Sequence, residues 1–292
     1  MLLSTNTHDL LGLFGFEKTV TLLKEAGFDA YDMSLFRMFS DADNCPFNKN
    51  NYRELAKQMR AFADSIGLPC NQAHAPFHVS AGDDKDEWRF ETVVRSMEIA
   101  AILGAKCIVV HPKQHLDYKT EKQALWDMNI AFYKRLLPYC EQFQIKVALE
   151  NMWHYNHDTE HIADSVCSRP EEFLAYLEAL NSPWFVACLD VGHAALTDEN
   201  IPYFIRTLGK KHLQALHVHD VDFKKDRHSL PYMMDIAWDT VLDALAEIGY
   251  EGDLTFEADT FFRKLPVPLV ETGVKFMADV GRYMVNTVME KQ

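Results

Sequence analysis

A chain of 292 residues with 48% hydrophobic content is long enough for a large buried core and has the usual length of one α/β barrel, so one domain over residues 1–292 is expected. A formal charge of -14 and a pI near 5.3 repel polyanions on average, which weighs against nucleic acid as a partner. The six cysteines form no CxxC pair, Met1 to Phe16 lacks the basic start of a signal peptide, and no apolar run reaches the roughly 20 residues a bilayer span needs, so a reduced cytoplasmic protein without membrane contact is expected.

Leu2 to Asn6 predicts a first strand, and Glu17 to Ala26 a helix that Gly27 closes. Ala30 to Phe36 reads as strand two, Asp41 to Asn51 as a polar surface loop, and Tyr52 to Ile66 as a helix ended by Gly67. The rhythm repeats with strand three at Cys70 to Phe77, a helix from Glu87 to Leu103 stopping at Gly104, strand four at Cys107 to His111, and a helix over Glu121 to Phe143. Strand five ends at Glu150. Met152 to Arg169 then exceeds the usual loop length and is expected to be an irregular substrate lid.

Pro170 opens a helix through Leu180, strand six follows at Phe185 to Asp190, and a helix near Glu199 to Leu208 is ended by Gly209. Strand seven is Leu213 to His219, and Val221 to Ile236 a second polar loop. Trp238, Val241, Leu242, Leu245 and Ile248 recur at helical spacing up to Gly249. Strand eight is Leu254 to Glu257, and a last helix spans Val267 to Val288 with Phe276 and Met277 expected in the core. Eight strand-helix alternations imply a (β/α)8 TIM barrel. The competing open sheet calls for a glycine-rich phosphate turn, and the sequence contains no GxGxxG.

The C-terminal strand ends of such a barrel converge on one face. His74, His111, Glu150, Asp190, His217 and Glu257 all fall there. A lone histidine at a strand end is usually a hydrogen-bonded structural residue, but glutamate is seldom buried unless paired, and Glu150 closes the apolar run Lys146-Val147-Ala148-Leu149. Carboxylates and imidazoles gathered in one pocket repel or desolvate one another unless a cation compensates, so a divalent metal site is the economical reading. His193, Asp226 and His228 are either further ligands or part of a solvated charged loop; His154, His157 and His161 read as exposed polar residues of the lid.

His74-Ala75-Pro76-Phe77, His111-Pro112, Leu149-Glu150-Asn151, Asp190-Val191-Gly192-His193, His217-Val218-His219-Asp220, Asp226-Arg227-His228 and Phe256-Glu257, in that order, resemble the xylose isomerase-like barrel superfamily. That superfamily includes sugar-phosphate isomerases and epimerases and the endonuclease IV family. In the epimerase-like branch, the resemblance implies one divalent ion on Glu150, Asp190, His217 and Glu257, with Glu150 and Glu257 also serving as paired acid and base. In the endonuclease IV branch it implies three zinc ions, with His74, His111, His193, Asp226 and His228 as additional ligands.

The phrase His228-Ser229-Leu230-Pro231 followed by Asp235-Ile236-Ala237-Trp238 also resembles the H-x-x-P…idW segment of sugar-phosphate isomerase-like proteins. It departs from them at Tyr232, Met233 and Met234, where glycines usually stand.

The expected function is a Zn²⁺- or Mn²⁺-dependent sugar or sugar-phosphate isomerase or epimerase working through an enediolate, with Trp153, His111, Lys113, His193 and Arg227 as substrate contacts. Net acidity and an aromatic wall at Trp153 favour it. The alternatives are an endonuclease IV-like three-zinc phosphodiesterase acting at abasic sites and a non-catalytic sugar-binding barrel. The partner expected is a small-molecule sugar, and a homo-oligomer is allowed.

Overall fold

The computed structural model describes residues 1–157 and 160–292. Eight parallel strands form the barrel: β1 (Leu3–Thr5), β2 (Tyr31–Ser34), β3 (Cys70–His74), β4 (Cys107–Val109), β5 (Lys146–Glu150) and, after an antiparallel ribbon of β6 (Trp153–Asn156) and β7 (His161–Asp164), β8 (Phe185–Asp190), β9 (Leu213–His217) and β10 (Leu254–Phe256). Six of them run β2-β3-β4-β5-β8-β9 in one parallel ladder, and β1 pairs with β10 in another. Single parallel bridges, Asn6 to Asp32 and Val218 to Phe256, join the two ladders into a ring.

The surrounding helices are α1 (His8–Phe14), α2 (Phe16–Ala26), α3 (Arg37–Ser40), α4 (Tyr52–Ser65), α5 (Asp86–Leu103), α6 (Lys122–Phe143), α7 (Pro170–Leu180), α8 (Val191–Leu196), α9 (Ile201–His212), α10 (Trp238–Glu247), α11 (Thr260–Arg263) and α12 (Val267–Lys291). The expected stops act as anticipated. Gly27 ends α2 at φ 104°, where its N–H reaches the carbonyls of Leu23 and Lys24. Gly209 breaks the regular part of α9 at φ 59° and ψ 172°.

Along the strands, successive side chains alternate between two environments. Ile108, Val147, Leu149, Ala187, Leu189 and Leu216 join the large core shared with the helices, whereas Cys107, Val109, Ala148, Val186, Cys188 and Ala215 form a small separate cluster inside the ring. Stepping two residues onward from Ala148, Cys188 and Ala215 gives Glu150, Asp190 and His217. The apolar filling of the barrel therefore passes directly into the polar residues at its mouth.

Two expectations are corrected, and one unanticipated element, α8, is added. The stretch Met152 to Arg169 is not irregular: Trp153 to Asn156 pairs with His161 to Asp164, because alternating aromatic and polar residues suit a half-exposed ribbon. Asp158 and Thr159 of the expected lid lie outside the described residues. The segment after Asp190 forms α8 at once, since the Asp190 carboxylate caps it by accepting the His193 N–H. Phe276 is 43% exposed, while its neighbour Met277, about 100° around α12, is fully buried.

Candidate metal centre

Glu150 sits at the centre of the barrel mouth, fully buried. Its Oε1 lies 3.0 Å from His217 Nδ1 and 3.6 Å from His193 Nδ1, and its Oε2 lies 2.9 Å from His111 Nε2 and 3.4 Å from His74 Nε2. Glu257 Oε2 approaches the same His217 Nδ1 at 3.1 Å, and Asp190 Oδ2 lies 4.0 Å from it. One ring N–H cannot serve three carboxylates. Burial works against ionising Glu150, but the His217 and His111 imidazoles outweigh it and hold its carboxyl well below the usual range. Glu257 is pushed the other way: burial raises it against the opposing His217 and His228 rings, and the Glu150 charge adds a smaller upward push.

Local sequence sets these positions. Asn151 follows Glu150 and bridges to the next strand, its Oδ1 accepting the Asp190 N–H at 2.8 Å and its Nδ2 donating to the Asp190 carbonyl at 2.9 Å. Asp190 in turn accepts the His193 N–H at 2.6 Å.

A second cluster adjoins the first. Asp226 Oδ2 is 3.0 Å from His228 Nε2 and 3.7 Å from His193 Nε2, and its Oδ1 is 3.8 Å from His219 Nε2. Burial disfavours the charged form of His193, but Asp190 and Asp226 raise its pKa to about 10. Burial likewise works against charge on His228, and Asp226 overrides it to place that ring well above its ordinary range. His111 moves down to about 4, because burial outweighs Glu150.

The chemistry of these donors fits divalent metal ions. Ligand atoms of Glu150, Asp190, His217 and Glu257 all lie within 4.8 Å of one another, and the same holds for His74, Glu150 and His217 and for His193, His219, Asp226 and His228. Three rings also point their Nδ1 at backbone carbonyls: His74 at Ala75 (2.7 Å), His193 at Asn151 (2.9 Å) and His228 at Glu257 (2.7 Å). A carbonyl only accepts, so Nδ1 carries the hydrogen and the Nε2 of each neutral ring presents a lone pair, the orientation metal-ligating histidines adopt. Glu150 Oε2, His74 Nε2 and Asp226 Oδ1 are buried without a hydrogen-bond partner among the described residues, a cost a bound cation removes.

Sequence reasoning missed two residues here. Fully buried His219 stacks on His228 at 4.2 Å with 3° between planes and holds its Nε2 3.0 Å from Asp190 Oδ1; its place at the end of strand seven is the signal that points to it. Asp32 is buried in β2, accepts from Gln72 Nε2 at 3.1 Å and stands 3.7 Å from His217 Nε2. The rarity of buried carboxylates, which singled out Glu150, applied equally to an aspartate between Tyr31 and Met33.

Of the expected substrate contacts, Trp153, His111 and His193 line a cavity of about 770 Å³ over the donors, with the Trp153 ring 6.3 Å from that of His193. Lys113 and Arg227 do not line it: the Lys113 ammonium sits 5.4 Å over the Phe132 ring, and Arg227 pairs with Asp222 at 2.7 Å. A larger cavity of about 1020 Å³ adjoins.

A family model described as xylose isomerase-like TIM barrel matches residues 20–280. Among curated proteins, fructoselysine 3-epimerase of Escherichia coli O157:H7 is 22% identical over 216 residues, 72% of this chain and 75% of that protein. A probable endonuclease 4 of Mesomycoplasma hyopneumoniae is 27% identical over 168 residues, 53% of this chain and 57% of that protein. The chain also spans only 62% of the length of an uncharacterized protein of Methanocaldococcus jannaschii that it matches at 27% identity. A solved D-tagatose 3-epimerase-like protein superposes with a TM-score of 0.76 at 20% identity, covering 100% of this chain and 99% of that one.

Proposed function

The chain belongs to the xylose isomerase-like TIM barrel family, and on that premise we propose that it is a metal-dependent sugar or sugar-phosphate isomerase or epimerase, acting as one domain over residues 1–292. The observation that carries this reading is the pair Glu150 and Glu257, which both come within 3.1 Å of His217 Nδ1 and both line a cavity with an aromatic wall at Trp153. The names of the epimerase relatives support it.

Glu150, Asp190, His217 and Glu257 would hold one divalent ion, Mn²⁺ or Zn²⁺. Such an ion supplies a Lewis acid that polarises a carbonyl and its neighbouring hydroxyl. Glu150, held ionised by its imidazole neighbours, takes the proton from the carbon beside the carbonyl. Glu257 returns a proton to the enediolate from the other face. His111 and His193 reach the cavity as donors to substrate hydroxyls, and Trp153 covers the sugar face.

The test is deuterium exchange at the carbon beside the carbonyl, followed on a panel of ketoses and ketose phosphates with metal-loaded protein. Wild type should exchange, while Glu150→Gln and Glu257→Gln should lose at least about 10²-fold and remain folded by circular dichroism. Full exchange in both variants removes the proposal.

One observation favours a second reading, a multinuclear phosphodiesterase: the donors form three groups, and all nine positions implied for the endonuclease IV branch take part in the linked clusters. Against it stand the net charge of -14 and the engagement of Arg227 by Asp222 at the mouth. Three zinc ions per chain together with nicking of an abasic duplex would establish it over the isomerase.

A further inference from the structure

The cavities of about 1020 and 770 Å³ open side by side and share Phe77, His78, Asp226, His228 and Glu257. Pockets of roughly 300–1,000 Å³ already hold a whole drug-sized ligand. The space around the donors is therefore far larger than one sugar ring requires.

The two lobes differ in chemistry. The smaller carries Glu150, His111 and His193. The larger shares Asp226, His228 and Glu257 with it and adds Phe36, Phe39 and Trp88, which with Phe77 make an aromatic wall that starts at the donors and runs outward. The Phe77 ring is 5.0 Å from His111 and 4.0 Å from Phe36, and Phe36 is 4.8 Å from His74. Farther out, Phe39 lies 5.2 Å from Trp88, which is 41% exposed on the first turn of α5. The arginines on this wall are already engaged, Arg89 by Asp83 and Asp86 and Arg263 by Asp9 and Asp259. Lys85 stands at the exposed rim. Recognition along the wall itself thus falls to ring faces, which take the C–H face of a second sugar or the π face of an aryl group.

We propose that the larger cavity is a subsite for a second ring, so that the substrate is a glycoside or aryl conjugate rather than a free monosaccharide. The reacting sugar lies at Glu150 and Glu257, and the attached ring passes the shared wall at Phe77 to rest against Phe36, Phe39 and Trp88. This rests on the sugar reading above and narrows it.

Binding of unreactive probes tests the subsite without turnover. Titration calorimetry on metal-loaded protein would compare methyl β-D-glucoside with cellobiose and phenyl β-D-glucoside. At least one two-ring probe should bind roughly three- to tenfold tighter, and Trp88→Ala and Phe39→Ala should each remove that advantage while leaving the methyl glucoside affinity unchanged. A gain with cellobiose alone identifies a glycosyl ring, and a gain with the phenyl glucoside alone an aryl one.

Equal affinity for one-ring and two-ring probes, absence of binding included, overturns the subsite, as does an advantage that survives both substitutions. Trp88 is exposed enough that its truncation should leave the melting temperature near wild type. Failure of the isomerase reading is seen separately, as no deuterium exchange on any ketose, free or carrying a glycosyl or aryl group, and leaves the ring preference standing.

Discussion

Gly192 shows how closely single residues are fitted at this mouth. A Cβ built there would lie 2.0 Å from His219 Cε1 and 2.5 Å from both ring nitrogens, so the glycine between Asp190 and His193 makes room for an imidazole. Gly192→Ala should cost about 1–3 kcal/mol through overpacking, read as a lower urea midpoint, and should weaken metal retention by displacing His219. An unchanged midpoint and metal content would refute that account.

Asp86 lends itself to a pH test. Burial opposes its charge, but Ser80, the N–H groups of Ala81 and Gly82 and Arg89 outweigh this and depress its pKa. A depressed carboxyl stabilises the fold above its unfolded value of about 3.9, and the contribution is lost as pH falls through the lower folded value. Asp86→Asn should therefore be weaker by about 2 kcal/mol near pH 7, a gap steady down to about pH 4 and closing below. Urea midpoints across that range measure it.

Among the elements, the loop 221–236 is anchored at both ends by one side chain. Fully buried Asp220 accepts N–H bonds from Val221 (3.0 Å), Met234 (3.1 Å) and Ile236 (3.1 Å) and from the Trp238 indole (3.0 Å), closing the loop onto the start of α10. Asp220→Asn would turn an amide NH₂ toward two of these donors, at a cost of about 1–3 kcal/mol. Protease cleavage within 221–236 should accelerate in the variant; wild-type resistance would show that the loop is held otherwise. The sequence made the polar character of this segment legible but not its anchor, because four donors lying up to 18 residues from Asp220 reach it only after folding.

Strands, helices and stops were legible elsewhere for a local reason: Gly27, Gly67, Gly104 and Gly249 all take positive φ just past helices whose spacing was already clear. The β6 and β7 ribbon was hidden by its histidines and tyrosine, which read as loop polarity although Trp153-His154-Tyr155-Asn156 alternates. Lys113 and Arg227 illustrate a different limit. Charge type was readable, but the direction of a long side chain depends on Phe132 and Asp222, partners remote or unranked in sequence.

At the level of the whole molecule, the buried carboxylates imply that the proposed ion would serve the fold as well as the chemistry. Chelator-treated protein should melt at lower temperature, and Mn²⁺ or Zn²⁺ at 1,000 times its Kd should restore about 4 kcal/mol. Because His193, His217 and His228 have raised pKa values in the metal-free fold, loading must expel protons, so affinity should strengthen as pH rises. Calorimetry in two buffers of different ionisation heat counts the protons released. A melting temperature indifferent to chelator would remove the metal centre altogether.

The ring has two single-bridge seams, and its first and last strands hold one another: Leu3 registers with Leu254, and Leu2 N–H reaches Asp253 across a separation of 251 residues. Contacts so remote in sequence form slowly, after the loop between them has been closed. During synthesis, a ribosome would release an open six-stranded arc long before β10 emerged. Glu257 directly follows β10, so the zipping of the barrel and the completion of its donor set are the same late event. Of the three donor groups, the one that holds both glutamates is thus the one a nascent chain cannot finish until its architecture is closed.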